Sequence, residues 1–182
     1  FGKHYNNITV TTAGNRIREA EGMKANIVIN DVRVTGNQNA PGTIGALDVT
    51  VDWTADGIKK TIQNQIPLVG GFVSNVTTHP SDGTIELQAS LGSIVVKPVV
   101  TNNNMTLQVQ SLSGLGFMLP RETVQPALDA FIDQITKNIP LGIHADSVQV
   151  TEDGVTAKFS TRNATMPPGN SGEGGDPCFS GL

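Results

Sequence analysis

From Thr43 to Thr54 the chain ends in an unbroken alternation. Leu47, Val49, Val51 and Trp53 share one side, and Asp48, Thr50 and Asp52 the other. A period of two marks a strand with one buried face, and a single covered face is usual in an antiparallel sheet. Between Pro120 and Pro140 the rhythm changes. Val124, Leu128, Phe131, Ile132, Ile135 and Ile139 recur at steps of three and four, the spacing of one helix face. Gln125, Asp129, Asp133, Thr136 and Lys137 take the opposite face. Thr123 is the expected N-cap, since its hydroxyl can accept a free first-turn N–H. Pro126 then falls in the first turn; a start at Pro120 would place it inside the helix instead. Asp133 and Lys137 are spaced as a favourable i,i+4 pair, and Pro140 and Gly142 stop the helix.

The rest of the chain reads as short strands. Asn7–Thr12 is a strand, residues 13–25 are polar and read as a loop, and Asn26–Thr35 is a second strand. Ile27 and Ile29 are out of phase with Val32 and Val34, which predicts a β-bulge near Asn30 and Asp31. Gly36–Gly42 is a turn. Thr54 or Asp56 caps a short helix whose apolar stripe is Ile58, Ile62 and Ile66, ended by Pro67. The apolar, glycine-rich run 66–73 is a loop at a cavity mouth or a buried connector. Hairpins are predicted at 73–78 with 84–91, at 94–100 with 105–112, and at 147–150 with 155–161. Asp153-Gly154 supplies a tight turn for the last. Pro98 marks an edge or a bulge. Residues 114–119 are a short apolar loop, and from Met166 the sequence is rich in Pro and Gly. Hairpin-length links make the sheet mostly antiparallel and the class α+β. The pattern divides the chain into one domain, residues 1–165, and a tail, residues 166–182.

Composition narrows the function. The formal net charge is −4 and the pI about 5.2, which argues against nucleic acid, whose phosphates need basic surface. No apolar run approaches the roughly 20 residues that span a bilayer. The chain opens at Phe1 rather than Met and reads as a piece of a longer protein. Its one cysteine, Cys178, has no partner within the sequence. Four Asn-x-Thr sequons start at Asn7, Asn75, Asn104 and Asn163, relevant only in a glycosylating host.

Catalytic signatures are absent from the sequence. There is no Gly-x-Ser-x-Gly elbow, P-loop, dinucleotide fingerprint or HExxH, so no catalytic, cofactor-binding or metal-binding residue is assigned. His4, His79 and His144 lack ligand spacing. His79, Ser81 and Asp82 crowd one turn, an arrangement that rarely gives a triad its geometry. Asp48 and Asp52 look like the solvated face of their strand. What exceeds the needs of a minimal core is apolar surface: two amphipathic helices, an alternating sheet and two greasy loops.

Three runs then become familiar: LDVTVDWTADGIKKTI, GFVSNVTTHPSDGTIELQASLG and LPRETVQPALDAFIDQITKNIPLGIHADSVQVTEDGVTAKFS. Together they resemble the LmeA-like family of actinobacterial cell-envelope proteins, over Ile8 to Thr165. The most specific parts are the Leu-Pro before the long helix, Ile-Pro-Leu-Gly at 139–142, and the Asp153-Gly154 turn. The resemblance implies a tubular lipid-binding fold, with a curled, mostly antiparallel sheet wrapped around the long helix plus one shorter helix. It implies a phospholipid ligand, the phosphatidylinositol type among the options. It also implies work at the membrane surface in the envelope or periplasm, linked to lipomannan and lipoarabinomannan elongation in mycobacteria, with glycan-biosynthesis proteins as possible partners. No export segment lies within the sequence, so that location rests on the family. The residues expected to line an apolar cleft are Leu47, Val49, Val51, Trp53, Ile62, Leu128, Phe131 and Ile135. The alternatives are a phospholipase-like hydrolase assembled in space and a non-catalytic scaffold with a filled interior.

Overall fold

The structure is a computed structural model and describes residues 3–37, 39–66, 70–90, 92–114 and 120–167. The apolar loop at 115–119, part of the loop at 66–73, the tail from 168 and Cys178 lie outside the described residues. In chain order the elements are β1 (Lys3–Tyr5), β2 (Ile8–Thr11), β3 (Arg16–Ile17), β4 (Ala20–Glu21), β5 (Met23–Asn37), β6 (Ala40–Thr54) and α1 (Ala55–Gln65). A single 3-10 turn, Gly70–Phe72, leads to β7 (Asn75–His79), β8 (Thr84–Ala89), β9 (Gly92–Thr101) and β10 (Asn104–Ser113). Then come α2 (Arg121–Thr136), β11 (His144–Val150) and β12 (Gly154–Thr165).

The class is α+β, and the strands described pair antiparallel. They form two main sheets. The first runs β1-β5-β6-β12-β11, with β2 also on β5; the second runs β10-β9-β8-β7. The region 13–25, expected to be a loop, instead holds the small β3–β4 hairpin and the first residues of β5. Two-residue strands are too short to show a period, and Gly22 masked the onset of β5.

The phase slip at Asn30–Asp31 is real, but it is not a bulge in one strand. Asp31 has φ +54, Asn163 in β12 has φ +53, and Asn7, between β1 and β2, has φ +57. Asn30 and Val32 pair with Ala46 and Ile44, and those two pair in turn with Arg162 and Ala164. Asp31, Gly45 and Asn163 are therefore skipped together, and the strands change face along one line while their register survives. Gly45 is required there, because a Cβ would lie 2.5 Å from the Asp31 carboxylate. Left-handed residues bend a strand locally, so the three strands are interrupted along one line. Across it Ile27, Ile29, Val32, Ile44, Leu47 and Ala164 stay in one buried cluster.

Thr54 caps α1, its hydroxyl accepting from Gly57 N–H at 3.1 Å. For α2 the Thr123 cap is not used. The helix begins after Pro120, without a side-chain cap, and Pro126 sits inside it. Pro126 deprives the Glu122 carbonyl of its i→i+4 donor, and both residues are exposed, where water can replace the bond. Lys137 lies beyond the last turn in extended backbone, out of helical register with Asp133. What fastens α2 is the edge of β10. The Gln125 amide accepts from Val109 N–H at 3.0 Å and donates to Leu107 O at 2.7 Å, and Arg121 donates to Val109 O at 2.7 Å. These side chains satisfy an edge that would otherwise present free backbone groups. Pro98 lies just past Val96, the last β9 residue paired with β8. Its absent N–H therefore costs no ladder bond.

Candidate functional site

The two sheets share one buried cluster, in which Val150 of β11 joins Val76, Ile85, Leu87, Ile94 and Val96 of the second sheet, but they do not fill all the space between them. Between them is a cavity of about 230 Å³, more than tenfold the ~10–15 Å³ that one water needs. β5 contributes Met23, Ala25 and Ile27, β6 contributes Leu47, Val49, Val51 and Trp53, β12 contributes Val155, Ala157 and Phe159, and β11 contributes Val148. The second sheet adds Ile85 and Leu87, Val96 and Pro98, Met105 and Leu107. Ile58 and Ile62 of α1 and Leu128, Phe131, Ile132 and Ile135 of α2 complete the wall. At the end beside the α2 terminus stand Ile17, Arg18, Thr136, Ile139, Pro140 and Ile143. Among the described residues, Arg18 and Thr136 are the only polar side chains in this lining. The Thr136 hydroxyl donates to Ile132 O at 2.7 Å, so it offers the cavity little polarity.

All eight residues expected to line a cleft surround this space, and they divide into two kinds. Leu47, Ile62, Leu128 and Phe131 are at most 4% exposed and also belong to the packed core. Val49, Val51, Trp53 and Ile135 point inward yet are only half-buried. An inward apolar side chain that keeps accessible surface borders unfilled space on part of its face, even where, as for Val49, Trp53 and Ile135, the rest of it packs on the core. Val51 shows why. Its partners across the sheet are Ala25 on one side and Ala157 on the other, and small side chains leave the middle of the floor low. Trp53 stacks on Phe131 with ring centroids 6.3 Å apart, and its indole N–H donates to Glu21 O at 2.7 Å. That aromatic pair is the join between β6 and α2.

Met23, Ala25 and Ile27 were not anticipated as lining, although Met23, Ala25, Ile27 and Ile29 alternate cleanly. The polar run before them concealed the signal. Arg18 gave no signal of its own in the sequence.

The candidate chemistry elsewhere stays dispersed. His4 lies 2.7 Å from Asp31, His79 3.0 Å from Glu86, and His144 3.3 Å from Asp146. The His79 ring thus turns to Glu86 rather than to Ser81 or Asp82. Among the described residues no three His, Cys, Asp or Glu converge as a metal site. A polar hollow at the start of α1, bounded by Arg16, Glu21, Asp56 and Lys60, has its charges paired internally. Arg16 is 3.7 Å from Glu21 and Lys60 is 3.1 Å from Asp56. Hydrogen bonds from Lys60 and then Lys59 hold the Asp56 carboxyl below its ordinary pKa. No helix among the described residues is long and apolar enough to cross a membrane.

An antiparallel α+β fold thus encloses an apolar hollow. The chain belongs to the LmeA-like phospholipid-binding family, whose sequence profile matches residues 1–160. It is 51% identical over 179 residues to an uncharacterized protein of Mycobacterium tuberculosis (strain H37Rv), covering 98% of this chain and 50% of that protein. An uncharacterized protein of Mycobacterium bovis matches to the same extent. The chain thus spans about half the length of these relatives. No solved structure matches it significantly.

Proposed function

We propose that the cavity holds phospholipid acyl chains, with the polar end of the lipid at the Arg18–Thr136 mouth. The observation that carries this is the half-buried state of Val49, Val51, Trp53 and Ile135 around an apolar space of about 230 Å³. Each buried methylene contributes about 0.8 kcal/mol, so about ten contribute about 8 kcal/mol. Association costs an estimated 4–15 kcal/mol. A single short chain is therefore marginal, and a longer acyl chain that extends past the cavity is the ligand class expected. On this reading the sheet curls around α2 as a tube, opening and closing at its ends. We further propose, as the resemblance implies, a setting in the cell envelope at a membrane surface and a part in lipomannan and lipoarabinomannan elongation. Native mass spectrometry of the purified protein, followed by solvent extraction, tests the core of the proposal. The expected result is a co-purifying phospholipid at about one per chain. A bare protein that also fails to take up lipid from vesicles would refute it.

A further inference from the structure

Arg18 is the one ionic side chain among the described residues that line the cavity. It stands at the tip of the β3–β4 hairpin, between Ile17 and Glu19, in a left-handed backbone conformation with φ +52. Arginine adopts that region rarely, and such residues persist where the surroundings hold them. Here the holding is visible. One guanidinium nitrogen donates to Lys137 O and another to Asn138 O, the latter at 3.4 Å, both just past the end of α2. The base of the hairpin is fixed separately. Glu21 N–H donates to the Thr61 hydroxyl at 3.0 Å, and Trp53 donates to Glu21 O.

Two carbonyls orient a guanidinium without neutralising it. Among the described residues Arg18 makes no ion pair, whereas Arg16, two positions earlier, is spent on Glu21. Three of the five N–H donors of Arg18 remain uncommitted among these bonds. A fixed planar fork carrying full charge is suited to two oxygens of one anion. Its place at the end of an otherwise greasy cavity says which anion. In a diacyl phospholipid the first full anion beyond the acyl esters and the glycerol is the phosphate ester.

We propose that Arg18 is the residue that selects phosphate-bearing lipids, by donating from the free side of its guanidinium to the lipid phosphate. This rests on the acyl-chain reading above. The test compares two probes with the same dioleoyl chains, phosphatidylglycerol and diacylglycerol, against the wild-type chain and Arg18→Gln, each probe delivered from a methyl-β-cyclodextrin carrier that contains no phosphate. Glutamine keeps a donor for the α2 carbonyls and removes the charge; circular dichroism and melting temperature establish that the variant folds. The wild type should prefer phosphatidylglycerol by about ten- to hundredfold, the range for a charge-assisted hydrogen bond. Arg18→Gln should lose that preference, with phosphatidylglycerol binding falling about tenfold or more further than diacylglycerol binding. Equal binding of both lipids by the wild type overturns the role of Arg18 alone. Equal loss of both lipids in the variant makes Arg18 a strap for the hairpin and likewise overturns it. A wild type that takes neither lipid overturns the acyl-chain reading and this one with it. Inorganic phosphate is the last arm. Failure of 10 mM phosphate, on the order of a weak anion site's capacity, to displace the lipid is expected; displacement would make the mouth a simple anion site and overturn the lipid assignment.

Discussion

Replacing Val51 with phenylalanine separates a hollow interior from a filled one by the sign of its effect. Val51 lies at the centre of the cavity floor, flanked across the sheet by Ala25 and Ala157, and keeps accessible surface although it points inward. In a close-packed core the added ring has no room, and overpacking costs about 1–3 kcal/mol. Over an empty space the ring buries new apolar area at about 25 cal/mol per Å². With about 40 Å² gained, the variant should be about 1 kcal/mol more stable. For a chain of this size that raises the melting temperature by about 2–4 °C. Phenylalanine is well tolerated in strands, so propensity does not oppose the change. The assay is paired urea melting and lipid uptake on delipidated protein. The expected outcome is a higher urea midpoint with an unchanged slope, together with lost or strongly reduced lipid uptake. A lower midpoint would mean that side chains already fill the site, and the reasoning from half-buried inward residues would be refuted.

Further expectations follow from the same contacts. Phe131→Asp places a carboxylate against Trp53 in the cavity wall and should abolish lipid retention in native mass spectrometry, while Phe131→Leu should retain it. Gln125→Ala leaves Val109 N–H and Leu107 O without their partners and should cost about 1–3 kcal/mol, with hydrogen exchange accelerated along β10 before the rest of the second sheet. Lys60 and Lys59 hold Asp56 below its ordinary value of 3.8. Its contribution to α1 is therefore complete above the unfolded-state value and fades as pH falls through the lowered one. Acid unfolding of wild type and Asp56→Asn, followed by circular dichroism, should differ at neutral pH and converge below that range.

The sequence disclosed which faces turn inward but not whether they touch. The alternation of Leu47, Val49, Val51 and Trp53 reveals a strand and its buried side, and the step pattern from Val124 to Ile135 does the same for α2. Both survive in the structure. A period says nothing about the distance to the opposite wall, which is set by residues far away in the chain, such as Ala25 and Ala157 beside Val51. The interruption of the strands was half legible. The slip from Ile29 to Val32 showed in β5, but Gly45 and Asn163 gave no sign that three strands slip in concert. Of the two starts the sequence offered for α2, local rules favour the Thr123 cap, whereas the structure takes the start after Pro120, with Gln125 and Arg121 held on β10 by tertiary bonds no local rule contains. Arg18 was invisible for the same reason: its partners, Lys137 and Asn138, are more than a hundred residues away.

The protein contains a single tryptophan, and Trp53 lies in the cavity wall, which allows the central claim to be measured without a label on the chain. Titration with a phospholipid brominated along its acyl chains should quench Trp53 emission to a saturating limit, and the quenching should be absent in Val51→Phe. Bound lipid that leaves Trp53 emission unchanged would place the chains elsewhere on the molecule and contradict the account.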